Sequence, residues 1–313
     1  MDLSWLVGRS KTTFHHHPTT IDLPLKAQKD PGAPTKGTTT SLASLCASAT
    51  PPCNLNPLLF NGHLQTMYTV IKSQAVPVNY RRHVFDSIDS HYPGTFAVDF
   101  AVENAAEEED KTLHPRTTYY SDKEWQGIAS EDDAPMLIAL HGLSGGSHEL
   151  YLRHVLAPLV NGQDCVTGEV NRTKWKACVI NARGCANSKI TSPVLFNARA
   201  TWDIRQIVKW CRKTFPNRPL FGVGFSLGGN ILTNVRSTAQ MICIHSIIVI
   251  LTSWQYVGEE GEKCELKAVV VCSNPWNLEA GSLALQRTWL GKEVYSKAMA
   301  KGLKGLYEQY VVH

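Results

Sequence analysis

No aspartate occurs in this chain after Asp203, and only two histidines, His245 and His313, follow His154. Paired C-x-x-C cysteines are also missing, and the nine cysteines are scattered and odd in number. That pattern argues against a zinc site or a secreted disulfide framework and predicts free thiols in a reducing compartment. No Lys/Arg block is present, and the small net charge of +4 is spread along the chain. A nucleic-acid partner is therefore not indicated. The N-terminus has no long apolar core behind a basic start, so no secretory signal is read. The only long apolar run, Met241 to Trp254, is shorter than the roughly 20 residues that span a bilayer.

What is present is an ordinary globular composition, 43% apolar and 19% charged over 313 residues. That is enough for one large core and a lid. Residues 1–50, rich in Thr, Ser, Lys and Pro, read as a disordered leader, with order beginning near Pro51. Tyr80 to Phe85 and Thr95 to Val102 read as strands. Residues 103–133, with Glu107-Glu108-Glu109-Asp110 and Glu131-Asp132-Asp133, read as a long acidic surface loop. Pro135 to Leu140, Ala177 to Ile180, Pro219 to Val223 and Leu266 to Cys272 are apolar runs. Between them Glu149 to Val160 and Asn197 to Phe215 are helical, the second placing Ile204, Ile207, Val208 and Cys211 on one face. Alternating strands and helices predict an α/β fold, a mostly parallel, doubly wound sheet covered on both faces. Glu279 to Gln309 reads as the start of a helical lid.

The most informative stretch is Gly224-Phe225-Ser226-Leu227-Gly228, set between an apolar strand and a helix start. This is the G-x-S-x-G elbow in its strand–turn–helix context, a turn that lifts the Ser226 hydroxyl clear of the sheet. Gly224 and Gly228 are small because the turn is tight. A serine nucleophile needs a base and preplaced N–H donors for the oxyanion it creates. Leu227 supplies one backbone N–H. The second is expected from the loop His141-Gly142-Leu143-Ser144-Gly145-Gly146, at Leu143, with Gly142 allowing close approach.

The nucleotide-binding alternatives fail on their own terms. Gly222-Val223-Gly224 opens a G-x-G-x-x-G pattern, but Leu227 stands at the third glycine and no acidic residue lies near position 245. The P-loop lysine is missing as well.

Four further motifs accompany the elbow: Asn61-Gly62-His63-Leu64-Gln65-Thr66, His141-Gly142-Leu143-Ser144-Gly145, Asn181-Ala182-Arg183-Gly184-Cys185 and Ser273-Asn274-Pro275-Trp276. Together these resemble the α/β-hydrolase branch that includes the yeast medium-chain fatty acid ethyl ester synthase/esterases and related monoacylglycerol lipases. The resemblance runs from about Pro51 to about Gln309. It implies an α/β-hydrolase core over 51–278, a lid beginning in 279–313, and Ser226 as the acyl-carrying residue. The implied substrates are medium-chain fatty acyl esters or acyl thioesters, hydrolysed or transferred to an alcohol. No metal or organic cofactor is required. Arg183 and His63 are read as structural residues near the sheet edge.

Two features depart from that family. Ser226 and Lys267 lie 41 positions apart, about twice the expected crossover. Removing 235–255 joins Asn234 to Tyr256 and restores a normal elbow helix. Val235-Arg236 can be encoded by a splice-donor-like GTAAGA and Gln255 by an acceptor-like CAG, so this stretch reads as a retained intron, the alternative being a genuine hydrophobic insertion that docks on a membrane or the lid.

The second departure is the triad, whose order in this fold is serine, acid, histidine. After Ser226 only glutamates remain as acids, His245 falls within the suspect stretch, and His313 is the last residue. No triad acid or histidine is identifiable, and the resemblance implies that both follow position 310. The expectation is a serine ester hydrolase or acyltransferase missing the C-terminal part of the fold, with a catalytically incomplete, non-enzymatic fragment of such an enzyme as the alternative. The expected location is cytoplasmic or at an intracellular lipid surface such as a lipid droplet, with organellar targeting and oligomeric state left open.

Overall fold

The computed structural model describes residues 9–10, 12–24, 39–51, 53–54, 56–71, 76–104, 110–162, 173–194, 197–233 and 256–311. They fall into two units, one within the first 73 residues and one holding the sheet described below.

In the first unit Asp22–Pro24 and Thr39–Ser41 pair as antiparallel strands. A helix, Leu42–Ala49, starts at Ser41, whose hydroxyl accepts the Ser44 N–H at 3.1 Å. The stretch expected to be a bare leader therefore carries short elements, because Ser41 is a good N-cap. A second helix, Gly62–Ile71, opens at Asn61, whose side chain accepts the Leu64 N–H. That capping accounts for Asn61 in the first motif and places His63 in a helical first turn.

The second unit is built on β1 (Asn79–Asp86), β2 (Thr95–Val102), β3 (Thr117–Tyr119), β4 (Met136–Leu140), β5 (Lys176–Ile180), β6 (Leu220–Phe225) and β7 (Leu266–Cys272). Their order across the sheet is β7-β6-β4-β5-β2-β1-β3. β5, β4, β6 and β7 run parallel, and β3 runs parallel to β1; β2 is antiparallel to β1 and β5. Every residue of β4 is buried, as a central parallel strand covered on both faces requires.

The helices are α1 (Asp122–Gln126), α2 (Leu150–Asn161), α3 (Trp202–Thr214), α4 (Leu227–Thr233), α5 (Tyr256–Glu260), α6 (Leu278–Gln286) and α7 (Ser296–Val311). α3 buries Ile204, Ile207, Val208 and Cys211 with α4 residues Ile231 and Leu232 on one face of the sheet. α2 buries Leu152, Leu156 and Val160 on the other. Each such side chain contributes about 1.5–3 kcal/mol of transfer free energy. α3 begins at Trp202 rather than Asn197, since Asn197 turns its side chain onto the Arg199 N–H.

The segment 103–133 is not one loop. It contains β3 and α1, because Ser121 and Glu124 form a reciprocal capping box and Leu113 and Thr117 are buried. Glu107, Glu108 and Glu109 lie outside the described residues. So do the stretch 235–255, with His245, and His313. Between α6 and α7 a π-helical turn spans Gly291–Tyr295. Among the described residues no helix is long and apolar enough to cross a membrane.

Candidate active site

β4 and β6 are neighbours, yet the chain leaves them in opposite directions. From β4 it crosses through α2 to β5, and from β6 it continues through α4 to β7. That is a topological switch point, where the strand ends of an open sheet leave a crevice. The loop after β4 carries His141-Gly142-Leu143, and the turn after β6 carries Ser226.

Ser226 has φ +49°, in the left-handed region, a strain of about 1–3 kcal/mol for a residue with a side chain. Its N–H donates to the Cys272 carbonyl at 2.9 Å, and its own carbonyl accepts the Asn230 N–H at 3.1 Å. A methyl on Gly224 would lie 2.6 Å from the Gly228 carbonyl oxygen, and one on Gly228 would lie 2.5 Å from that of His141. Both positions admit hydrogen alone. Ser226 is half-buried.

Asn230, almost fully buried, donates to the Pro275 carbonyl at 3.0 Å, and Asn274 donates to Thr233 Oγ1 at 3.0 Å. Ser273-Asn274-Pro275 thus ties the end of β7 to the elbow helix.

Across the crevice, a methyl on Gly142 would stand 3.4 Å from Ser226 Cβ and 3.4 Å from Tyr151 Oη. The loop approaches the elbow at Gly142, and Leu143 is the next residue. His141 is buried, and burial lowers its pKa. Its Nε2 accepts the Ala182 N–H at 3.0 Å, and Nδ1 lies 2.6 Å from the Gly142 carbonyl oxygen. Tyr151, pushed up to about 12 chiefly by burial, accepts the Gly142 N–H at 2.9 Å.

Beneath the loops lies a charge network that the sequence did not reveal. Arg82 from β1 donates twice to Asp99 from β2, at 2.6 and 2.8 Å, and once to the Ala186 carbonyl. Asp99 also accepts from Ser147 Oγ and Asn181 Nδ2. Arg183 makes a second bidentate pair with Asp203 and reaches Ser192 and two carbonyls. Arg183 is structural, but it stands behind a central strand rather than at the sheet edge.

Over the mouth, a methyl on Gly302 of α7 would lie 2.5 Å from Ser144 Oγ, and Leu306 packs on Ala182 and Cys185. α7 therefore contacts the loops after β4 and β5 through Gly302 and Leu306. Among the described residues, no histidine ring hydrogen-bonds Ser226 Oγ. Other titrating groups lie near the loop: burial and the stacked His114 lower His148 to about 4, and burial raises Glu149.

A family profile described as alpha/beta hydrolase fold matches residues 135–250. The chain has the α/β-hydrolase fold. It is 34% identical over 263 residues to a monoacylglycerol lipase of Saccharomyces cerevisiae, covering 79% of this chain and 51% of that protein. It is 30% identical over 276 residues to the medium-chain fatty acid ethyl ester synthase/esterase 2 of the same yeast, covering 80% and 53%. With the embryogenesis-associated protein EMB8 of Picea glauca it shares 28% identity over 254 residues, covering 81% and 44%. The chain spans about half the length of the curated relatives it matches.

Proposed function

We propose that this protein is a serine ester hydrolase or acyltransferase acting on fatty acyl esters, with Ser226 as nucleophile. The observation that carries this reading is Ser226 itself, strained at φ +49°, half-exposed at a switch point and faced by Gly142. In the proposed reaction Ser226 Oγ adds to the ester carbonyl carbon. The oxygen, now charged, is held by the N–H groups of Leu143 and Leu227, and the C–O bond to the alcohol then breaks. The proton released by Ser226 passes through a base to the departing alkoxide. Water or an alcohol then takes the acyl group from Ser226. Each oxyanion donor is worth roughly 10²–10³ in rate.

The printed names of the two yeast relatives favour acylglycerols and medium-chain ethyl esters as substrates. Residues 51–278 would form the hydrolase core and 279–313 the beginning of its lid. On α7, Met299, Leu303 and Tyr307 recur at four-residue spacing as exposed apolar side chains, beside Lys297, Lys301 and Lys304. That face suits a lipid surface bearing negative charge, which would bring α7 and the crevice beneath it to the substrate.

The second reading is a chain that binds but does not turn over. It is favoured by the lack, among the described residues, of a histidine bonded to Ser226. An oxyanion hole and binding alone give roughly 10³–10⁴ over water. Hydrolysis of 4-nitrophenyl esters with acyl chains from two to sixteen carbons separates the readings. Turnover peaking at intermediate length and abolished in Ser226→Ala supports the first; rates equal to those of Ser226→Ala support the second.

A further inference from the structure

We infer that His141 and Tyr151 are positioning residues that clamp Gly142 from both sides and so aim the Leu143 N–H at the oxyanion site. The inference rests on the reading of Ser226 given above.

The Ala182 N–H donates to His141 Nε2, which must therefore carry a lone pair. In a neutral imidazole the proton then sits on Nδ1, so Nδ1 donates to the Gly142 carbonyl at 2.6 Å. Ala182 thereby fixes the tautomer, and Ala182 follows Asn181, which is itself held by Asp99. The same Gly142 carbonyl also accepts the Gly145 N–H at 3.2 Å. A carbonyl and the N–H that follows it share one planar trans unit and point in opposite directions. Holding the Gly142 oxygen toward His141 turns the Leu143 N–H away from it.

Tyr151 acts on the other side of the same residue. It takes the Gly142 N–H on its phenol oxygen, leaving the next N–H, that of Leu143, as the loop's donor toward the crevice. The Tyr151 ring also contacts Phe225, with centroids 4.9 Å apart, and Phe225 precedes Ser226. One phenol therefore registers the loop after β4 against the elbow after β6. With burial opposing ionisation, it stays a neutral phenol through the working pH range. Tyr151 is partly exposed, so losing its hydroxyl leaves the core intact.

The test is the inactivation of Ser226 by a fluorophosphonate, resolved into the maximal rate kinact and the half-saturating concentration KI. Tyr151→Phe should lower kinact about 10- to 100-fold with KI unchanged, short of the loss for outright removal of a donor. His141→Leu should lower it similarly. His141→Asn, whose amide nitrogen can stand in for Nδ1, should recover part of that loss, which a general weakening of the fold would not produce. An unchanged kinact in Tyr151→Phe, or a change confined to KI, overturns the clamp while leaving Ser226 as nucleophile. Hydrogen exchange of the Gly142 amide in nitrogen-15-labelled protein reads the clamp without any reaction. Exchange should quicken in Tyr151→Phe. Equal exchange in wild type and variant overturns the clamp, and failure of the wild type to label overturns the reading of Ser226 instead.

Discussion

Gly228 and the His141 carbonyl oxygen approach so closely that a methyl on Gly228 would stand 2.5 Å from that oxygen. The elbow helix thus seats directly on the loop after β4. Gly228→Ala should destabilise the protein by about 3 kcal/mol through forced backbone displacement. Urea denaturation checks it; a loss below 1 kcal/mol would show that the contact relaxes easily. Gly224→Ala meets the same kind of backbone obstacle and should behave alike.

The Arg82–Asp99 pair stands almost wholly out of water. Removing one partner of such a pair typically costs about 3–5 kcal/mol, because the other charge is left buried and alone. Asp99→Ala should fall in that range by chemical denaturation and should also slow any Ser226 chemistry, since Ser147 and Asn181 lose their shared acceptor. The Lys297–Glu293 pair, between α7 and the π-helical turn before it, should be worth less than 1 kcal/mol.

The elbow, its two glycines and the His-Gly loop were legible in the sequence because their chemistry is local, a fixed spacing inside one turn. The parallel core was legible for the same reason: β4, β5 and β6 are unbroken apolar runs. The Arg82–Asp99–Asn181 network was not, since it joins residues far apart in the chain, and a single charge in an alternating strand looks like a solvated position. Tyr151 was equally silent, a lone tyrosine in the first turn of a helix. The acidic segment was misread because its charges outweighed a visible signal, the Ser121-x-x-Glu124 capping box that starts α1.

Acid should weaken the fold through His148. Its pKa is lowered from 6.5 to about 4 in the folded protein, mainly by burial. Above pH 6.5 it is neutral in both states and contributes nothing. Between 6.5 and about 4 the unfolded chain binds the proton and the folded one resists it, so stability falls as pH falls. Below about 4 that contribution is constant. Thermal melts across this window should show a smaller pH slope for His148→Gln than for wild type; identical slopes would remove His148 as the cause.

Residues 234–255 lie outside the described residues, but Thr233 and Tyr256 on either side do not. α4 ends at Thr233, and α5 begins at Tyr256, which is buried in the same core cluster as Ile231 and Leu232. A chain lacking 235–255 should therefore fold with a melting temperature equal to or above that of the full chain. A fall of more than about 5 °C, roughly 1–2 kcal/mol at this size, would show that the stretch supports the core. Sequencing the transcript gives the independent check, since a retained intron predicts mature messages without these codons.

The most direct measurement is fluorophosphonate labelling of the purified full-length chain beside Ser226→Ala, with circular dichroism confirming that both are folded. The account predicts labelling of the wild type that saturates at one site and vanishes in the variant. Folded wild-type protein that takes up no probe, or that labels equally with Ser226→Ala, would contradict it.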